Sequence, residues 1–152
     1  MKLAYLETDA SLDTRRQVVG LEGRLFPAGG GIILRDIALR PVLLKSVPLG
    51  HVPNPLHAEY LAFVRGLEEA VGLGARGVWA TTDNLPLVED FNGRWPTRPD
   101  SLQEIHYRLG AVRSKLGFVT LRWSRGSHRK LKFGGPSADA LARAAVGLEK
   151  RR

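Results

Sequence analysis

Apolar residues recur every second residue in some segments and every third or fourth residue in others. These spacings predict strands and helices, respectively. The chain begins with strands, because its short apolar runs are bounded by Gly, Pro and Asp. The segment 17–26 is either a second strand or an excursion from the sheet, since its glycines weaken a strand. In order, we predict a strand at 2–8, with Asp9 at its C-terminal end, and a break at 27–31. Strands at 32–36 and 40–47 and a loop at 48–55 follow.

Helices and strands alternate in the remainder of the chain. Leu61, Val64, Leu67 and Val71 recur at helical spacing, and Gly72 is a stop signal. The predicted elements are a helix at 57–72, a strand at 77–81, helices at 85–91 and 102–116, a strand at 118–124 and a last helix from Ser137. Strands followed by this alternation predict an α/β fold, in which helices pack on a mixed sheet.

Composition narrows the class of protein. A chain of 152 residues with 43% hydrophobic and 25% charged residues has the size and composition of one globular domain, which we expect to span 1–152. The absence of cysteine excludes a disulfide scaffold, a cysteine nucleophile and a thiolate zinc site. No apolar run is long enough to cross a membrane. Glu7 and Asp9 lie where a signal peptide would have its apolar region, which argues against one. We therefore expect a soluble, cytoplasmic protein with no obligate protein partner.

Positive charge is concentrated at the end of the chain. Residues 1–100 carry 11 Lys and Arg against 12 Asp and Glu, whereas residues 101–152 carry 12 against three. This asymmetry favours a polyanionic partner such as nucleic acid. A merely soluble basic surface is the alternative.

Four acidic residues stand at the ends of predicted elements. Asp9 ends the first strand, Glu59 lies in the first turn of the first predicted helix, Asp83 follows a strand and Asp139 opens the last helix. Asp83 could simply cap a helix, and Glu59 and Asp139 could simply complement helix dipoles. Asp9 follows an apolar run, where a carboxylate is usually paired or metal-bound. Sites in α/β sheets form at the carboxyl ends of strands, where Asp9 and Asp83 both lie.

Five blocks of the sequence, taken in order, resemble those of ribonuclease H, in particular its bacterial and plant branch. They are LETDAS, HAEYLAFVRGLEEAVGLGA, ATTDNLPLVEDFNGRW, RWSRGSH and PSADALARAA. The family's own blocks include TDGS, NEAEYLAL, SDSQLVV, NGEW and ADALA. The resemblance covers about residues 1–147. It implies a five-stranded mixed sheet whose first three strands are antiparallel, with helices on both faces.

The resemblance also implies a reaction. In that family four carboxylates bind two divalent metal ions, and the matching residues are Asp9, Glu59, Asp83 and Asp139. Oxygen ligands suit Mg²⁺, with Mn²⁺ as a substitute. The implied activity is hydrolysis of the RNA strand of RNA/DNA hybrids, which leaves 5′-phosphate ends. His128 lies in the loop where catalytic members carry a mobile histidine for proton transfer or product release. A surface histidine is the alternative.

Other residues are candidates for substrate contacts. Because the 2′-hydroxyl distinguishes RNA from DNA, we expect Ser11, Asn84 and the helix start at 57–60 to recognise it. Phosphates carry no sequence code, so cations orient the substrate without selecting bases. The candidate phosphate contacts are Arg122, Arg125, Arg129, Lys130 and Lys132, unless they form only a solvated basic loop.

Two departures from the family pattern leave other functions open. Gly135 stands four residues before Asp139, where members often have Asn, and the segment 10–31 replaces a short Gly-rich turn. These features favour a ribonuclease H-like nucleic-acid-binding module with little or no turnover, whereas the complete carboxylate set opposes it. The same metal chemistry on another nucleic acid, as in exonucleases of this fold, is a third possibility. We expect no hybrid-binding domain before the fold.

Overall fold

A computed structural model describes residues 1–21, 23–94, 102–125 and 135–148. The strands are β1 (Leu3–Leu12), β2 (Val18–Gly20), β3 (Gly23–Arg35), β4 (Pro41–Val52), β5 (Gly77–Thr82) and β6 (Phe118–Trp123). The helices are α1 (Pro55–Gly72), α2 (Leu85–Phe91), α3 (Gln103–Arg113) and α4 (Ala138–Ala145). The predicted order of strands and helices is therefore confirmed.

The sheet has five long strands in the order β4-β3-β1-β5-β6. β1 pairs antiparallel with β3, and β3 pairs antiparallel with β4, while β1 with β5 and β5 with β6 are parallel. The short β2 adds a sixth strand, because it folds back on the first residues of β3. The predicted α/β class, with antiparallel first strands and a mixed sheet, is confirmed.

Three predictions in this region are wrong. The first strand does not end at Asp9, because β1 continues to Leu12 and pairs with β3 as far as Ala28. The segment 27–31 is not a break, because it lies inside β3: Ala28 to Gly31 pair with both β1 and β4, and Pro27 pairs with β4. The loop predicted at 48–55 is a strand as far as Val52, because its backbone pairs with β3 across a bulge between Ala28 and Gly29. Prolines are tolerated there since β4 lies at the edge of the sheet.

The glycines of β3 allow helices to pack closely on both faces of the sheet. A Cβ atom on Gly31 would lie 2.0 Å from the Ala138 carbonyl oxygen, and one on Gly29 would lie 2.4 Å from that of Ala142. A Cβ on the intervening Gly30 would instead point towards Ala62 of α1. Because successive strand residues point to opposite faces, α1 and α4 cover opposite faces of the sheet.

The main hydrophobic core lies between the sheet and helices α1 to α3. Leu6, Ile32, Phe63, Leu67 and Val78 are fully or almost fully buried there. A smaller cluster on the other face joins Ile33 of β3 to Ala138 and Leu141 of α4. No helix in the described part of the chain is long and apolar enough to span a membrane.

Candidate active site

The sheet register brings Asp9 and Asp83 to the same edge. β1 and β5 pair in parallel from Leu3 with Gly77 to Glu7 with Thr81. Continuing this register by two residues places Asp9 level with Asp83, which directly follows β5. Both acids therefore lie at the carboxyl end of the sheet, where α/β folds form their sites.

Glu59 reaches this edge from α1. That helix begins at Pro55, and the Asn54 side chain caps it by accepting a hydrogen bond from the His57 backbone N–H at 2.9 Å. Oε1 of Glu59 accepts a hydrogen bond of 3.3 Å from the Ala10 backbone N–H. Asp9, Glu59 and Asp83 each offer an oxygen atom, and these three atoms lie within 4.8 Å of one another.

Asp139 approaches the cluster from the opposite face, on the first turn of α4. Ser137 caps that helix by accepting a hydrogen bond from the Ala140 backbone N–H at 3.1 Å. Gly31, which pairs with Asp9, is the residue whose missing side chain lets Ala138 approach the sheet. Asp139 is not within the 4.8 Å group, but its negative charge contributes to the raised pKa of Asp9.

Burial and neighbouring carboxylates raise the pKa values of Asp9 and Glu59. Burial raises the pKa of Asp9 to about 7, and the negative charge of Asp83 adds to this effect. Burial and the neighbouring charges of Asp9 and Asp83 raise the pKa of Glu59 well above its usual range. Raised pKa values of this kind mean that the cluster favours a proton or a bound cation over unpaired negative charge.

The capping and dipole alternatives fail for two of the four acids. Asn84, not Asp83, caps α2. Because α1 begins at Pro55, Glu59 lies beyond its first turn, and the prediction that placed it in the first turn is wrong. Asp139 does lie in the first turn of α4, so a favourable helix dipole contributes to its setting.

Some of the predicted substrate contacts lie near the carboxylate cluster, and others fall outside the described residues. Ser11 follows Asp9 by two residues, so it lies on the same face of β1. Oδ1 of Asn84 accepts a hydrogen bond from the Leu87 backbone N–H at 2.9 Å, which leaves its amide group as the possible donor to substrate. Arg122 is exposed on β6, and exposed Arg125 lies 5.5 Å from the ring centre of Trp123. His128, Arg129, Lys130 and Lys132 lie outside the described residues.

Sequence reasoning missed two features that shape the site. Gly29 and Gly31 position α4, and their alternation in an apolar strand was the signal for close backbone packing. Trp123 donates a hydrogen bond of 3.1 Å from Nε1 to the Asp83 backbone oxygen, so it holds the end of β5. An aromatic residue at the end of a predicted strand carries no comparable signal.

The chain is similar in sequence to known proteins. The reverse transcriptase-like family model matches residues 21–132. The bifunctional protein Rv2228c of Mycobacterium tuberculosis is 28% identical over 131 residues, and this match covers 84% of the present chain. The chain spans only 35% of the length of the curated relatives that it matches.

Solved structures resemble the whole fold. The N-terminal RNase H domain of Rv2228c has a TM-score of 0.76 at 22% identity, covering 96% of this chain and 94% of that one. RNase H1 of Halobacterium salinarum has a TM-score of 0.77 at 19% identity, covering 95% and 97%. LC11-RNase H1, solved in complex with an RNA/DNA hybrid, has a TM-score of 0.73 at 19% identity, covering 94% and 96%. These likenesses confirm the predicted ribonuclease H-like fold.

Proposed function

Because this chain belongs to the reverse transcriptase-like family, we propose that it is a metal-dependent endoribonuclease that hydrolyses the RNA strand of RNA/DNA hybrids. The observation that carries the proposal is the convergence of Asp9, Glu59 and Asp83 within 4.8 Å. The hybrid bound by LC11-RNase H1, a protein of the same fold, supports this substrate class. We further propose that residues 1–152 form a single ribonuclease H-like domain.

The donor set fits a divalent cation. Three carboxylates whose oxygen atoms lie within 4.8 Å of one another repel when ionised, and Oε2 of buried Glu59 has no hydrogen-bond partner among the described residues. Both conditions favour a cation with oxygen ligands, of which Mg²⁺ is the best match and Mn²⁺ a substitute. We propose that Asp9, Glu59, Asp83 and Asp139 hold two such ions.

Each side chain then has a defined part in hydrolysis. Two bound ions supply the charge that activates a water and stabilises the leaving oxygen. Any proton held on Asp9 or Glu59 would be lost when these side chains become ligands, so both would bind as ionised carboxylates. Water attacks phosphorus, the bond to the 3′ oxygen breaks, and His128 moves a proton to that oxygen. The products are a 5′-phosphate and a 3′-hydroxyl, with no covalent enzyme intermediate.

Recognition of RNA requires groups beyond the carboxylates, because a phosphate is the same in RNA and DNA. The Ser11 hydroxyl and the Asn84 amide lie near the cluster and can bond to a 2′-hydroxyl. The backbone at 57–60, also predicted for this contact, is already bonded within the start of α1, because the N–H groups of His57 and Ala58 bond to Asn54. Arg122 and the basic segment beyond it orient the phosphates. The larger set of proposed phosphate contacts is Arg122, Arg125, Arg129, Lys130 and Lys132.

A direct assay tests the proposal. Purified protein is incubated with Mg²⁺ or Mn²⁺ and an RNA/DNA hybrid labelled on the RNA strand, alongside duplex DNA and duplex RNA. We expect internal cuts in the RNA of the hybrid, 5′-phosphate ends, survival of duplex DNA and complete inhibition by EDTA. Release of mononucleotides only from an end would instead indicate an exonuclease. Binding of the hybrid without any cleavage would indicate a non-catalytic module.

A further inference from the structure

Three aromatic side chains form a row across the sheet, on the face that carries α4. Tyr5 of β1 stacks on Trp79 of β5 with ring centres 5.0 Å apart and planes inclined by 25°. Trp79 in turn contacts Phe118 of β6, with ring centres 5.2 Å apart. A Cβ on Gly77 would lie 2.2 Å from the Phe118 ring, so the absence of a side chain there makes room for this ring.

A cleft of about 270 Å³ opens beside this row. Among the described helices, α4 lies on this face, and it packs on β1, β3 and β4. The cleft lies farther along the sheet, over β5 and β6, where Phe118 is 38% exposed. We call it the aromatic cleft; its lining residues are Tyr5, Trp79, Ala80, Thr81, Thr120 and Arg122.

The lining combines the groups that a nucleotide needs. Tyr5 and Trp79 offer aromatic surface for stacking, which every base can use because each has a flat π face. Thr81 and Thr120 offer hydroxyl groups, and exposed Arg122 offers a guanidinium group to a phosphate. Apart from Asp9, the acid on this face of β1 is Glu7, whose carboxylate already forms an ion pair of 3.2 Å with Arg35.

The aromatic cleft is continuous with the carboxylate cluster. Thr81 precedes Asp83 by two residues on the same face of the sheet, a distance of about 7 Å along a strand. Tyr5 precedes Asp9 by four residues on β1, about 13 Å. These separations are of the order of one or two nucleotides, so one chain of nucleic acid can reach both places.

We propose that the aromatic cleft binds an unpaired nucleotide of single-stranded nucleic acid, with its base against Trp79 and Tyr5 and its phosphate on Arg122. This site is separate from the carboxylates and does not depend on the proposed cleavage. Its physical basis is stacking and phosphate neutralisation, which are sequence-tolerant. A single-stranded tail beside a hybrid is a natural occupant, since the cluster and the cleft share two strands.

Binding in EDTA tests the proposal without any contribution from metal or hydrolysis. Fluorescence anisotropy measures the affinity of a labelled oligothymidylate of about eight nucleotides. We expect Trp79→Leu to weaken binding at least about fivefold, the loss expected for one stacked base. Arg122→Gln should weaken binding and flatten its salt dependence by about 0.7 in slope, as for one phosphate contact on a single strand. Tyr107→Leu, which removes an 84% exposed aromatic residue on α3, is the matched control and should change neither quantity.

Photocrosslinking locates the base even if Trp79→Leu does not fold. An oligonucleotide containing iodouracil is irradiated with the unmodified protein, and the crosslinked peptide is identified by mass spectrometry. Crosslinks to Tyr5, Trp79 or Phe118 support the proposal, whereas crosslinks confined to other peptides overturn it. Unchanged affinity in folded Trp79→Leu also overturns it. If that variant instead converts a dimeric parent to a monomer with unchanged oligonucleotide affinity, the face contacts a second copy of the chain and the proposal is wrong.

Discussion

Two aspartates near the end of β1 both have little exposure to solvent, but their pKa values shift in opposite directions. Asp9 is 5% exposed and Asp13 is 2% exposed, and they are four residues apart. Burial, together with the charge of Asp83, raises the pKa of Asp9 to about 7. Hydrogen bonds from Arg16 and Arg15 lower the pKa of Asp13 to about 2.

The two carboxylates have different neighbours, which contribute to the opposite pKa shifts. Asp13 accepts hydrogen bonds from Nε of Arg16 at 2.6 Å and from the backbone N–H of Arg15 at 3.0 Å. Arg16 also donates to the Val146 backbone oxygen, so this group ties the β1–β2 turn to the end of α4. Asp13 therefore has its counter-charges within the fold, and a structural role is enough to account for it.

Asp9 has no such counter-charge among the described residues in contact with it. Its side-chain neighbours are the carboxylates of Glu59 and Asp83. Such a cluster costs stability when ionised, and folded proteins retain it where a cation or a proton completes it. Burial is the largest cause of the raised pKa of Asp9, whereas hydrogen bonds from Arg16 and Arg15 outweigh burial at Asp13. The partners of a buried acid, together with its burial, therefore distinguish a candidate active site from a structural ion pair.

The largest expected difference between the two aspartates is in catalysis. Asp9→Asn should lower hydrolysis of the hybrid at least about 100-fold, since it removes a charged group that acts at the reacting phosphate. Asp13→Asn should leave hydrolysis within about twofold of the parent, an effect of less than about 0.5 kcal/mol on the barrier. Initial rates at saturating hybrid measure both. Similar losses in the two variants would contradict the distinction.

Metal-dependent stability is the next largest effect. Mg²⁺ at about 100 times its dissociation constant should stabilise the parent by about 2.7 kcal/mol, because it binds only the folded state. In a chain of this size that corresponds to a rise in Tm of roughly 5–10 °C. Asp13→Asn should show the same rise, and Asp9→Asn and Asp83→Asn a much smaller one. Thermal melts with Mg²⁺ and with EDTA give these values. An equal rise in all four proteins would place the ion elsewhere.

The sequence predicted the parts of the fold that depend on local patterning. The helix at 85–91 and the last helix capped by Ser137 were placed correctly, since apolar spacing and capping residues determine both. The segment 27–31 was misplaced because glycine and proline are ordinarily loop residues. In β3 the glycines allow α4 to approach closely at Gly29 and Gly31 and α1 at Gly30, and no local signal expresses this long-range packing.

The sequence predicted which residues form the candidate site, but not which of its acids have a counter-charge. Asp9 and Asp83 could be placed together, because the carboxyl ends of parallel strands meet at one edge. The opposite settings of Asp9 and Asp13 could not, since nothing in the run LETDASLD separates one aspartate from the other. Only the fold shows that Arg15 and Arg16 turn back onto Asp13, while Glu59 reaches Asp9 from a helix.

The two aspartates should also affect the metal-free protein in opposite directions. In EDTA at about pH 8, Asp9→Asn should raise Tm by a few degrees, because it removes an ionised, uncompensated carboxylate from the cluster. Asp13→Asn should lower Tm, since the amide cannot pair with the two guanidinium groups. Thermal melts followed by circular dichroism at low protein concentration measure both shifts. If both variants melted below the parent, repulsion among the clustered carboxylates would not control the stability of the metal-free protein.

The two aspartates should also differ in how they make stability depend on pH. The folded-state pKa of Asp9 is raised from 3.8 to about 7, so its contribution to stability is full below about pH 4 and is lost as the pH rises to 7. The pKa of Asp13 is lowered from 3.8 to about 2, so its contribution is full above about pH 4 and is lost only as the pH falls towards 2. Urea unfolding in EDTA between about pH 4 and pH 8 therefore separates them. The parent should lose stability steadily over this range, Asp13→Asn should follow it at a constant offset, and Asp9→Asn should show a flatter profile. A parent profile that rises between pH 4 and pH 7 would contradict the raised pKa of Asp9, because the folded state would then release protons more readily than the unfolded chain.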